Sequence, residues 1–157
     1  MTSSYNDIYS RFLNKIQDYE FAGLPEPNAT AQMREWLRSS VANPYVFRIF
    51  DGKTFTADDE IAEFEYTLTD TTNDFADKNF VEELLANQMC VEWLTPKVRT
   101  TKLINQMITN SKEEKFFSQQ QHLGQLRELL ADFEDKVRGM LRDRGYIYNS
   151  YLGNVNG

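Results

Sequence analysis

The chain has 157 residues, the size of one ordinary domain, and can bury a core without help from a disulfide or a metal. Its 24 acidic and 17 basic residues leave a net charge of −7, which argues against indiscriminate binding of nucleic acid over the whole surface. The single cysteine excludes an intrachain disulfide, and no apolar run approaches the ~18 residues of a membrane span. The opening MTSSYNDIYSRF lacks the basic and apolar regions of a signal peptide, so folding in a reducing, aqueous compartment is expected.

Tyr5, Ile8, Tyr9, Phe12, Leu13, Ile16 and Tyr19 repeat at helical spacing and predict a first helix over residues 4–19, capped by Ser3 or Ser4. Gly23, Pro25 and Pro27 end it and force a turn. A second helix is expected over 29–40, with Asn28 as its cap, Met33, Trp36 and Leu37 inward, and Asn43-Pro44 closing it. The period then changes. Residues 45–50, YVFRIF, are aromatic and β-branched and read as a strand, and Asp51-Gly52 reads as a turn. Residues 61–68, IAEFEYTL, alternate Phe64, Tyr66 and Leu68 with Glu63, Glu65 and Thr67, which describes a strand with one wet face. Residues 53–56 are a candidate third strand.

After the polar loop 69–74, a helix is expected over 79–94, ended or kinked at Pro96, and a short helical segment over 100–108 stopped by Asn110-Ser111. The longest helix starts between 111 and 118 and reaches Arg144, with Arg138, Arg142 and Arg144 favouring its dipole and Gly145 at its C′ position. Leu123, Leu126, Leu130, Phe133, Val137 and Met140 form a heptad-like stripe on it, widened by Leu129 and Leu141. The stripe reads as core or as a subunit seam. As core, Leu126, Leu130, Phe133 and Val137 would meet Ile8, Phe12 and Ile16 of the first helix. The fold class is therefore mainly α: a helical-bundle domain over 1–145 with a small antiparallel β element at about 45–68. An extended tail over 146–157 follows, and its Tyr146, Ile147, Tyr148, Tyr151 and Leu152 are the expected docking residues.

The sequence carries no signature of chemistry. His122 stands alone near the start of the long helix, and a general base or a zinc site needs a cluster. Cys90 sits in the apolar run Met89-Cys90-Val91 and reads as a small buried hydrophobe. Asp58-Asp59-Glu60 lacks the glycine and spaced oxygens of a calcium loop and reads as a solvated loop. There is no P-loop, GxGxxG or GxSxG. The expectation is a protein without catalytic residues, metal or cofactor.

The stretch KFFSQQQHLGQLRELL at 115–130, Arg138 and Arg142 after it, NSYL at 149–152 and WLTPKV at 93–98 together resemble head–tail connector, or adaptor, proteins of tailed bacteriophages. The resemblance covers roughly the last 65 residues, and the N-terminal half contributes nothing to it. It implies a mainly helical subunit of a homo-oligomeric ring, commonly a dodecamer, in the virion neck. Such a subunit is made in the host cytoplasm, and its termini dock on the portal protein and on neighbouring neck or tail proteins. DNA would pass through without sequence-specific binding, and no membrane would be involved. The alternatives are a stopper, tail-completion or baseplate component, or a cytoplasmic helical interaction protein. A cryptic enzyme is the most distant.

Overall fold

A computed structural model describes residues 1–16, 25–107 and 113–147, with the backbone alone over 102–107, 113–120 and 147. In chain order the described elements are β1 (Thr2–Ser4), α1 (Tyr5–Leu13), α2 (Glu26–Ala42), α3 (Pro44–Phe47), β2 (Thr56–Asp58), β3 (Glu63–Glu65), α4 (Asp74–Met107) and α5 (Glu113–Ile147). The fold is mainly helical, with one small antiparallel sheet and a long final helix.

The sheet has β3 at its centre. It pairs antiparallel with β1, Ser3 opposite Phe64, and with β2, Ala57 opposite Phe64. The predicted alternation holds: Phe64, Tyr66 and Leu68 are buried, while Glu65 and Thr67 are exposed. The N-terminal residues, expected only to cap a helix, supply a strand as well. Ser3 is buried and shares a 2.9 Å hydrogen bond with the Tyr66 hydroxyl, and Ser4 then caps α1 by accepting from the Asn6 amide.

Residues 45–50 are not a strand. The Asn43 side chain accepts the Tyr45 amide at 3.0 Å, and Pro44 occupies the first helical position, where its fixed φ suits a helix and its missing N–H costs nothing. Local capping thus overrides the β propensity of YVFRIF. Only Phe50 joins a ladder, as an isolated bridge to Leu68. Asn28 is likewise not a cap. Pro25 holds that position without a side-chain bond, so α2 begins earlier than expected, at Glu26. The first helix stops short of the expected Tyr19: α1 ends at Leu13 with Asn14 as its C-cap, and residues 14–16 are already non-helical. The turn at Gly23 and the stop at Asn110-Ser111 fall outside the described residues.

α4 fuses the two helical segments that Pro96 was expected to separate. Its start moves back because the Asn73 side chain accepts from the Phe75 and Ala76 amides. Pro96 lies inside the helix on an exposed side, where water can satisfy the carbonyl that loses its amide partner. Val81, Leu84, Leu85, Met89 and Leu94 are buried, and this half of α4 is the pillar of the core. α1 and α2 pack on it, Phe12 setting its ring 6.4 Å from Trp93 and 5.6 Å from Trp36.

α5 also packs on α4, running antiparallel to it, and this is its main contact; any contact with α1, the expected partner, is slight. Leu123, Val137 and Leu141 are buried, while Leu126, Leu130, Phe133 and Met140 are partly buried against the core. Leu129 is turned outward, 40% exposed. Gly145 is not a C′ residue, since α5 continues to Ile147 and no described glycine has positive φ. Arg144 nevertheless lies in the last turn of α5, as expected.

Candidate assembly surfaces

α4 and α5 are the longest elements, at 34 and 35 residues, or about 50 Å each. Among the residues whose side chains are described, the last core residue on α4 is Leu94, and on α5 core contact begins at Leu126. The remaining turns, 95–107 and 113–125, carry each helix about 20 Å past these described core residues and form the arm of the pair. Leu123 is buried within that arm. Lys97 stands over the Trp93 ring at its base, 5.2 Å from the centroid.

At the opposite end, the last turn of α5 is tied to the first turns of α4. The Arg144 guanidinium lies 3.0 Å from the Asp77 carboxylate, 2.5 Å from the Asp70 carbonyl oxygen, and 4.6 Å above the Phe80 ring. Asp77 also accepts the Thr72 amide at 2.8 Å and is almost fully buried. Beside this clamp Phe75 is 82% exposed and Tyr146 58% exposed. Of the predicted docking residues, Tyr146 and Ile147 form the end of α5. Tyr148, Tyr151 and Leu152 lie outside the described residues.

A second ion-pair group joins three helices. Glu83 of α4 meets Lys15, two residues past the end of α1, at 2.5 Å, Arg11 of α1 at 3.6 Å and Lys136 of α5 at 3.7 Å. Burial alone would raise its pKa. The Lys15 hydrogen bond and charge, the Asn87 amide and the Lys136 charge outweigh burial and hold it below the ordinary glutamate value. A depressed carboxylate contributes stability that is present above its unfolded pKa, about 4.3, and is lost as pH falls through the lower folded value. Glu83→Gln is therefore expected to flatten the acid limb of the melting temperature between about pH 5 and 3. Thermal melts across that range check this, and parallel limbs for the two proteins would contradict it.

The third surface went unseen in the sequence. α3, α4 and α5 enclose a groove of about 620 Å³, lined by Val46, Val91, Val137 and Leu141 below and by Arg48, Arg138 and Arg142 above. Tyr45 stands at its edge, 71% exposed. Arg138 pairs only with Glu134 and Asp135 on its own helix, Arg142 with Asp143, and Arg48 makes no ion pair among the described residues. The signal that would have found it was Asn43-Pro44, a cap followed by a first-turn proline, which turns PYVF into a short helix that carries Tyr45 and ends on Arg48 as its C-cap.

The hairpin β2–β3 carries the acidic run. Asp59 is not a free loop carboxylate: it accepts from Arg38 of α2 and, at 3.1 Å, from the Tyr5 hydroxyl. Burial first, then the Asp59 contact, pushes the Tyr5 hydroxyl up to about 12. Asp58 and Glu60 stay exposed, and Ile61 between the strands is 65% exposed.

Cys90 is fully buried, and burial raises its thiol to about 12, which leaves it protonated and unreactive at neutral pH. His122 is exposed. Among the described residues no group of three His, Cys, Asp or Glu side chains is placed to hold a metal, and no helix is long and apolar enough to cross a membrane. The geometry thus defines a mainly helical protein whose features are a long α4–α5 pair, an aromatic end and an arginine-rimmed groove. No family model matches the chain, and comparisons with curated proteins and with solved structures find no match.

Proposed function

We propose that the chain is a structural virion protein, a ring-forming adaptor subunit that joins the portal to the tail in the neck of a tailed bacteriophage. The observation that carries this reading is the α4–α5 pair. Two helices of about 50 Å outreach the core that α1, α2 and the sheet provide, and the second runs on toward a neutral, tyrosine-bearing tail. A helix pair projecting past its own core is poorly used within one subunit, because apolar contacts along it need a second surface to exclude water. Tyrosine in the tail supplies contact area at low entropy cost.

In this reading the body packs side by side with its copies, commonly twelve, while the tail docks on the portal or an adjacent neck protein. The net charge of −7 suits a conduit wall that does not hold passing DNA. The subunit carries no catalytic residue and takes no cofactor. The test is to mix the purified chain with the portal encoded beside its gene and image the product by negative stain. A ring of this chain on one face of the portal is the expected result. No association across a range of salt would count against the reading.

A further inference from the structure

The groove between α3, α4 and α5 and the tip of the β2–β3 hairpin are complementary surfaces on different faces of one molecule. The groove offers an apolar floor under three arginines and Glu134, with about 620 Å³ of space, the scale of a specific binding pocket. Arg138 already pairs with Glu134 and Arg142 with Asp143, while Arg48 makes no ion pair among the described residues and is the cation most open to an incoming carboxylate. The tip offers the converse: one exposed aliphatic side chain, Ile61, flanked by the exposed carboxylates Asp58 and Glu60.

The tip is also rigid. The Asp58 carboxylate accepts the Glu60 amide at 2.9 Å and the Ile61 amide at 3.3 Å. Asp59 fastens it to α2 through Arg38 and to α1 through Tyr5. Ala62 holds a left-handed φ of 55°, and its carbonyl accepts the Tyr5 amide at 2.9 Å. That conformation is strained for a residue with a Cβ, and the bonds around it keep Ile61 pointing outward instead of collapsing onto β3. No tip residue lines the groove of its own chain.

We propose that the groove receives the β2–β3 tip of a second copy of this chain. Ile61 enters above Val137 and Leu141, and the Asp58 and Glu60 carboxylates face Arg48, Arg138 and Arg142. The two patches differ, so the contact is head-to-tail, the kind that repeats from copy to copy and closes into a ring when the rotation allows. The inference deepens the ring-subunit reading and rests on it for that closure. In such a contact the Asp58 and Glu60 carboxylates of a chain with a net charge of −7 would face arginine instead of like charge. A contact this small is weak between two free copies and grows strong when a template aligns many.

The experiment uses the full chain. A copy carrying Ile61→Cys is mixed with an isotope-labelled copy carrying Tyr45→Cys, at the groove edge, and oxidised. The control pairs Ile61→Cys with Phe75→Cys, which is at least as exposed. Melting curves verify that each variant is folded. The groove pair is expected to cross-link about tenfold faster than the control, since a docked tip raises the local thiol concentration. Glu60→Arg in the tip copy, or high salt, should remove that advantage. Equal rates for the two pairs, or Ile61→Cys preferring its own kind, would overturn the proposal. Failure of this cross-link in a chain that still occupies particle necks removes the contact alone. A robust cross-link in a chain absent from particles removes the neck reading alone.

Discussion

Arg144→Met is expected to destabilise the protein by about 3–5 kcal/mol, the scale of removing one partner from a buried ion pair. The substitution keeps the aliphatic stem and takes away the guanidinium that lies 3.0 Å from Asp77, bonds the Asp70 carbonyl and covers Phe80. Asp77 is only 1% exposed, so its carboxylate would be left in the interior with the Thr72 amide as its remaining bonded partner. The loss is large against the roughly 5–15 kcal/mol that holds a typical domain folded. Urea unfolding monitored by circular dichroism measures it. Arg144→Met with Asp77→Leu should recover much of the loss, because a neutral pair leaves no buried charge. A single-variant loss under about 1 kcal/mol would mean that water reaches Asp77 and that the end of α5 is not clamped to α4.

Removing residues 148–157 is expected to act oppositely, with little effect on the fold and a large one on assembly. The segment carries two tyrosines, a leucine and a valine and no charge. The described core is built from residues of β3, α1–α5 and the segments flanking them. The melting temperature should therefore move by no more than about 2 °C. Incorporation into particles should fail, leaving heads without tails. The cut spares Tyr146 and Ile147, which belong to α5, so the clamp at Arg144 stays intact. Normal assembly of the truncated chain would contradict the docking role, and so would a truncated chain unable to fold.

The elements most legible in the sequence were those whose pattern was long or strictly alternating. The heptad-like stripe announced α5, and Phe64, Tyr66 and Leu68 announced the buried face around β3. Residues 45–50 misled because aromatic and β-branched content is a tertiary preference, whereas Asn43-Pro44 fixes the backbone locally and won. Pro96 misled for a related reason. A helix supported along its length by α5 tolerates one lost hydrogen bond on its wet side. The partner of α5 was not legible at all, since a stripe says that a face is apolar and not what it meets. Phe133 is only partly buried against the core, and truncating it should cost less than the ~3–5 kcal/mol of a fully packed ring. The groove needed Tyr45, Arg48, Arg138 and Arg142 brought together from α3, its C-terminal flank and α5, which no spacing reveals.

The central claim is that this chain forms a ring between portal and tail, and imaging the neck of intact particles by cryo-electron microscopy tests it most directly. The account predicts a ring of copies beneath the portal into which this fold fits, its α4–α5 arm and its tail engaged with neighbouring proteins. A neck density that this fold does not match, or particles in which the chain is absent by mass spectrometry, would contradict it.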